Sequence, residues 1–144
     1  MIEYREHEKL SFEEYYDFLK RSDLGSQYPQ ERFEPRIRKL LTTRSVAITA
    51  RNAQEMLIGV AFGITDFAYF LFVTDLGVDR AYAKQGIGRE LLDRIQKVVG
   101  GEDDITVVTI SNEAATGFYE KCGYVTENCL YWKPCKLWSE FEVI

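Results

Sequence analysis

Val73-Thr-Asp-Leu-Gly-Val-Asp-Arg-Ala-Tyr-Ala-Lys-Gln-Gly-Ile-Gly-Arg-Glu-Leu-Leu92 decides the fold. It reads as the end of an apolar strand, a loop with two glycines, and the start of an amphipathic helix. The strand, Phe67 to Val78, is almost continuously apolar and predicts cover on both faces. The helix, Gly88 to Val99, carries Ile87, Leu91, Leu92, Ile95, Val98 and Val99 on one stripe, and Gly100 and Gly101 stop it. A helix N-terminus leaves backbone N–H groups unpaired, and its dipole adds about half a positive charge. Together these make an anion site. Gly86 and Gly88 lack Cβ atoms, so a phosphate can approach the backbone, and Lys84 and Arg89 add charge at the rim. A plain tight turn would need the same Gly-x-Gly. A dinucleotide fingerprint wants a third glycine, and a nucleotide-triphosphate loop wants G-x-x-x-x-G-K before Ser or Thr; both are absent.

Downstream, Ile105 to Ile110 predicts a β-branched strand and Ala114 to Cys122 a short helix ended by Gly123. Tyr124 to Thr126 and Leu130 to Lys133 predict a closing hairpin. Upstream, Ile2 to Arg5 predicts a first strand. Ser11 with Glu14 forms a capping box for a helix carrying Phe12, Tyr15, Tyr16 and Leu19. Asp23 to Gln30 is a loop, and Arg32 to Thr42 a second helix with Ile37, Leu40 and Leu41 on its apolar side. Val46 to Ala50 and Met56 to Ile64 are strands. Hairpins alternating with β–α–β crossovers predict one α/β (α+β) domain over 1–144, a mixed central sheet with helices on both faces.

Composition narrows the function classes. The 144 residues are 46% hydrophobic, 28% charged and 14% aromatic, enough for one packed core, and the net charge is −5. A duplex-binding module would carry a basic face, so nucleic acid is not an expected partner. An acidic cleft would favour a cationic substrate such as an amine. No apolar run is long enough to span a bilayer, and Met1 to Leu10 lacks the apolar core of a secretory signal; a cytoplasmic protein with no membrane partner is expected. The cysteines, Cys122, Cys129 and Cys135, are odd in number and form no C-x-x-C pair, which suggests neither a disulfide framework nor a metal. His7 is the sole histidine, so no Ser-His-Asp triad is available.

The segment Ala83-Lys84-Gln85-Gly86-Ile87-Gly88 resembles the Arg/Gln-x-x-Gly-x-Gly/Ala signature of the GCN5-related N-acetyltransferase (GNAT) superfamily, placed as there between a strand and a helix. Leu76-Gly77-Val78-Asp79 before it and Leu91-Leu92 after it are similar too. The run from Asn112 to Tyr124 resembles the family's Asn-x-x-Ala-x-x-Phe-Tyr-x-Lys-x-Gly-Phe/Tyr segment through Asn112, Ala115, Phe118, Tyr119, Lys121, Gly123 and Tyr124. The resemblance covers about residues 45 to 133. It departs at Ala83, where the family usually has Arg or Gln, so one side-chain contact is lost and Lys84 or Gln85 takes its place.

The resemblance implies a splayed sheet of about six to seven strands, with an acetyl-coenzyme A core over 45–133 and substrate-side helices over 11–43. It implies transfer of acetyl to a primary amine by direct attack in a ternary complex. The diphosphate would sit at Ala83 to Arg89, and the pantetheine arm along the backbone of Leu76, Gly77 and Val78, where Gly77 fits a bulge or a close approach. Asn112, Ala115, Phe118 and Tyr119 would also line the cofactor. Tyr119 would protonate the departing thiolate; its spacing with Ala115, Phe118 and Cys122 also fits an ordinary packed helical face. Asp75 is the candidate base, or equally a structural carboxylate at the splay. Asn112 is expected to cap its helix or touch the pantetheine. A homodimer is the assembly the family suggests. A non-catalytic acyl-coenzyme A binding module of the same fold is the alternative reading.

Overall fold

A computed structural model describes residues 1–144. Five strands, β1 (Glu3–Glu6), β2 (Val46–Arg51), β3 (Leu57–Thr65), β4 (Phe70–Val78) and β5 (Thr106–Thr109), form one sheet in chain order. The first four pair antiparallel, while β5 pairs parallel with β4. That last pairing needs a crossover, supplied by α3 (Ile87–Val99). On the other face lie α1 (Phe12–Lys20) and α2 (Phe33–Thr43); a short α4 (Thr116–Lys121) follows β5. The expected mixed sheet with helices on both faces is present, with five strands where six to seven were expected.

The difference lies at the C-terminal end. Tyr124 to Thr126 and Leu130 to Lys133 form no hairpin; residues 123–144 run without helix or strand. Val125, Leu130, Tyr131 and Trp132 are exposed, so they find no apolar surface of their own chain. Strand propensity without a face to pack on does not make a strand. Beyond Tyr124, whose ring packs on Tyr119, only the end of the tail docks: Val143 is buried, Phe141 packs edge-on against Phe33 at 5.0 Å, and Gln30 N donates to Ser139 O at 2.9 Å.

Two apolar layers flank the sheet. The stripe of α3, including Ile87, Leu91, Leu92 and Ile95, packs on Ile48, Ile58, Ala61, Leu71 and Val73. Tyr15, Phe18 and Leu19 of α1 and Ile37 of α2 pack with Leu24 on Ala47, Val60 and Phe62. Ser11 caps α1 by accepting from Glu14 N at 3.1 Å. The capping box is only half made, because the Glu14 carboxylate is turned to Arg51 instead.

β4 starts later than its composition suggested. Asp66 accepts from the backbone N–H groups of Ala68, Tyr69 and Phe70 at 2.9, 2.8 and 3.0 Å, closing a turn over Phe67 to Tyr69. Nor is the strand covered throughout: Phe70 and Phe72 are exposed on one face. Its other irregularity matters more. Phe62 pairs with Asp75 but Gly63 with Val73, so Thr74 is an extra residue on β4. This bulge resets the alternation of side chains. Leu71 and Val73 face α3 before it, and Leu76 and Val78 face α3 after it. Asp75 and Gly77 are thereby turned to the α1 face. The expected bulge is at Thr74, not Gly77. Gly77 serves close approach: a Cβ there would lie 2.9 Å from Leu24 Cβ.

Candidate acetyl-coenzyme A groove

Pairing between β4 and β5 ends at Val73 and Thr109. Beyond that point Leu76, Gly77 and Val78 still pair with β3 on one side, while their other edge is free. Strands that part leave backbone donors and acceptors open to a ligand. The gap is a groove of about 700 Å³, the size of a small-molecule site. β4 forms one wall; Thr109, Ile110 and Ser111, with α4, form the other.

The start of α3 closes one end. Gly86 is the residue before the helix, with φ +81°, and Lys84 has φ +62°. Gly86 is required by that left-handed backbone, and a Cβ there would meet nothing within 4 Å. No side chain caps α3, and its first internal bond is Glu90 N to Gly86 O at 3.0 Å. The N–H groups of Ile87, Gly88 and Arg89 are therefore free of helix partners, and these residues line the groove with Lys84. Gly88 has a further reason besides the one its sequence suggests: a Cβ would stand 3.1 Å from the Phe118 ring, so its absence seats α4.

The connection from β4 to α3 is tied to α1. Asp79 accepts from Ala81 N at 2.9 Å and from the Arg21 guanidinium. Arg80 bonds Asp23 at 2.7 Å and the carbonyls of Lys20 and Ser22, each at 3.0 Å. These charge-assisted bonds hold the loop where its amides meet the groove.

On the far wall, Asn112 caps the turn before α4 by accepting from Ala115 N at 2.9 Å. Ala115, Phe118 and Tyr119 face the groove; Cys122, on the same helical stripe, does not line it. Tyr119 is half-buried between Phe118 and Tyr124, with ring centroids 5.2 and 5.6 Å away. Burial raises its phenol above the usual tyrosine range, so it keeps its proton at neutral pH.

The predicted residues Leu76, Gly77, Val78, Ala83, Lys84, Gly86, Ile87, Gly88, Arg89, Asn112, Ala115, Phe118 and Tyr119 meet on this groove. Gln85 and Asp75 do not line it. Asp75 is 6% exposed on the α1 face. It accepts from the Tyr28 hydroxyl at 2.5 Å and from the Thr74 hydroxyl at 2.6 Å, and Tyr28 lies 2.6 Å from the Tyr15 hydroxyl. Burial raises the Asp75 carboxyl above its usual range, against those two hydroxyl bonds and the charge of Arg44. Tyr82, Thr109, Ile110 and Ser111 line the groove without having been singled out. Ile110 and Ser111 belong to the segment just before Asn112, and that adjacency was the available signal.

The residues present fit coenzyme A: helix-start amides and two cations for a diphosphate, a free strand edge for an amide-bearing arm, and apolar side chains beside it. Comparison with known proteins agrees. Residues 6–124 match the acetyltransferase (GNAT) family. A histone acetyltransferase of Glycine max is 25% identical over 87 residues, 58% of this chain and 38% of that protein. The match thus spans well under half of that relative's length. A probable acetyltransferase from meticillin-resistant Staphylococcus aureus superposes with TM-score 0.73 at 19% identity, over 93% of this chain and 100% of that one. An aminoglycoside N-acetyltransferase solved in complex with CoA superposes with TM-score 0.68 at 14% identity, covering 94% and 95%. At these identities the structural likeness speaks for the fold.

Proposed function

The chain belongs to the acetyltransferase (GNAT) family, and from that premise we propose that it acetylates a primary amine, using acetyl-coenzyme A in a ternary complex. The carrying observation is that the uncapped start of α3, the free edge of β4 and the Tyr119 phenol face one groove. When bound, acetyl-coenzyme A supplies an activated acetyl thioester.

The chain's own residues divide the remaining work. The amides of Ile87, Gly88 and Arg89, with the Lys84 and Arg89 side chains, hold the diphosphate. The backbone of Leu76 to Val78 orients the arm that follows. Tyr119 holds a proton at its phenol oxygen for the leaving sulfur, the protonation state that its burial favours. Cys122 does not line the groove and burial raises its thiol, which argues against an acylated-enzyme route and for direct transfer. Asp75 is best read as the structural carboxylate. Asp75 does not line the groove, and each of its oxygens already accepts a hydroxyl, from Tyr28 and from Thr74, so the acceptor's proton is assigned to water.

Release of free thiol, followed with a panel of primary amines, tests this reading. Tyr119→Phe is expected to lower kcat by about 10²–10⁴-fold while leaving acetyl-coenzyme A affinity within about twofold. Tight acetyl-coenzyme A binding with no turnover on any amine would replace the enzyme with a binding module.

A further inference from the structure

We propose that Thr109 is a positioning residue for Tyr119: its hydroxyl proton rests on the Val73 carbonyl while the phenol is intact and turns to the phenol oxygen once that oxygen has lost its proton. The proposal rests on the acetyl-transfer reading above for the moment at which this happens, the departure of the thiolate.

Thr109 stands where the sheet forks, in the last pair of β4 with β5, opposite Val73. In this parallel ladder Thr106 N donates to Tyr69 O, so by the two-residue repeat Ile110 N would reach Val73 O if pairing ran on. It does not; the strands part, and Val73 O takes the Thr109 hydroxyl at 3.0 Å instead. Thr109 is half-buried and lines the groove, as Tyr119 does. The two lie within hydrogen-bonding reach of each other, and no other side chain bonds the phenol. A threonine hydroxyl has one proton and two lone pairs. Its proton is on Val73 O, so towards an intact phenol it only accepts.

A phenolate asks the opposite of this neighbour. When Tyr119 gives up its proton, its O–H bond breaks and an S–H bond forms on the leaving sulfur. The electron pair stays on the phenol oxygen as a half-buried negative charge. Rotation about the Cβ–Oγ bond then brings the Thr109 proton to that charge, with no heavy atom moving and the proton still bonded to Thr109. Val73 O gives up a neutral hydrogen bond, and the phenolate gains a charge-assisted one, roughly twice as strong. The turn is therefore favourable after proton transfer and unfavourable before it. Burial holds the Tyr119 phenol above its usual range, and the Thr109 hydroxyl pulls it back down, leaving a stronger acid than burial alone would. The other titratable neighbours are Cys122 on α4 and Tyr124 beyond it, with Arg89 and Asp93 of α3 behind them. Neither β4 nor β5 presents an ionisable group to the phenol.

3-Fluorotyrosine in place of Tyr119 reports the ionisation by fluorine NMR in the free protein, at a lower pH than tyrosine requires. Thr109→Val keeps the shape and removes the donor; Thr109→Ser keeps the donor. The ionisation constant is expected to fall about tenfold in Thr109→Val and to stay within about twofold of wild type in Thr109→Ser. An acid must be protonated to act, so activity falls as pH rises through its ionisation. With Tyr119 itself in place, the alkaline limb of kcat should accordingly move to higher pH in Thr109→Val, with kcat lower by about tenfold. A threonine that only braces the fork would lower Tm and kcat without moving either midpoint. An unmoved fluorine midpoint in Thr109→Val overturns the proposal, as does one that Thr109→Ser moves equally; acetyl transfer by the wild type would stand in both cases. An amine panel without turnover counts against the acetyltransferase reading alone, and the fluorine midpoints still decide the role of Thr109.

Discussion

The Tyr28 hydroxyl donates to the Asp75 carboxylate across 2.5 Å, from 47 positions earlier in the chain. This bond fixes the segment after α1 onto the strand that walls the groove. It exists because the Thr74 bulge turns Asp75 to the α1 face.

Burial holds the Asp75 carboxyl above its usual range. A raised carboxyl favours the fold fully below its unfolded value, about 3.9, and that contribution is lost as pH rises through the folded value. Relative to Asp75→Asn, the wild type should therefore lose stability as pH is raised above about 4. Thermal melts of both proteins from pH 4 to 8 check this; a constant difference in Tm would refute it.

Gly77→Ala forces a methyl against Leu24, itself 2% exposed, at 2.9 Å. Such overpacking costs about 1–3 kcal/mol. In urea titrations, Leu24→Ala should recover part of that loss when combined with Gly77→Ala, because it removes Cδ2 at 3.0 Å and Cγ at 3.4 Å and lets the remaining Cβ shift, although it destabilises the wild type on its own.

Gly86→Ala and Gly88→Ala should differ in kind. The first places alanine at φ +81° with free space around it, a backbone cost of about 1 kcal/mol. The second presses on the half-buried Phe118 ring, which can yield by shifting α4. Gly88→Ala should thus change stability by less than about 1 kcal/mol yet weaken acetyl-coenzyme A binding in calorimetry, because Phe118 and Tyr119 move together.

Arg51 is 6% exposed and ties β2 to the segment before α1 and to α1 itself. Its Nε meets Glu8 at 2.8 Å, its Nη1 and Nη2 meet Glu14 at 2.8 and 3.0 Å, and Nη1 also reaches Glu55 O at 2.7 Å. Arg51→Met removes the guanidinium from Glu8, which keeps only the Thr49 hydroxyl and a longer pair with Arg5, and from Glu14; it should cost about 3 kcal/mol, the low end for a broken buried pair, since Glu14 keeps some solvent. Burial pushes the Glu8 carboxyl up, but its bonds to Thr49 and Arg51 outweigh that and lower it overall. A lowered carboxyl stabilises above its unfolded value and ceases to do so as pH falls through the folded one. The gap between wild type and variant, followed by denaturant midpoint, should narrow on acidification.

The helices were legible because each repeats an apolar stripe, and the loop from Ala83 to Arg89 because its glycines and position set the backbone whatever surrounds it. Thirteen groove residues were found in this way, all on or beside the two motifs. Asp75 was legible as a buried carboxylate but not as one facing away from the groove. Its direction depends on which residue of β4 lacks a partner on β3, and no property of Thr74 announces that. Gly88 was likewise visible as a glycine, while its neighbour, the Phe118 ring, comes from 30 positions later.

The order of elements, the helical faces and the uncapped start of α3 are local properties, set by periodicity and backbone chemistry within a few residues, so the sequence by itself determined them. Strand number, the register shift and the exposure of residues 124–133 depend on surfaces brought together from distant parts of the chain. An edge or an apolar row becomes a strand pair only when a partner surface arrives, and that is a matter of tertiary structure.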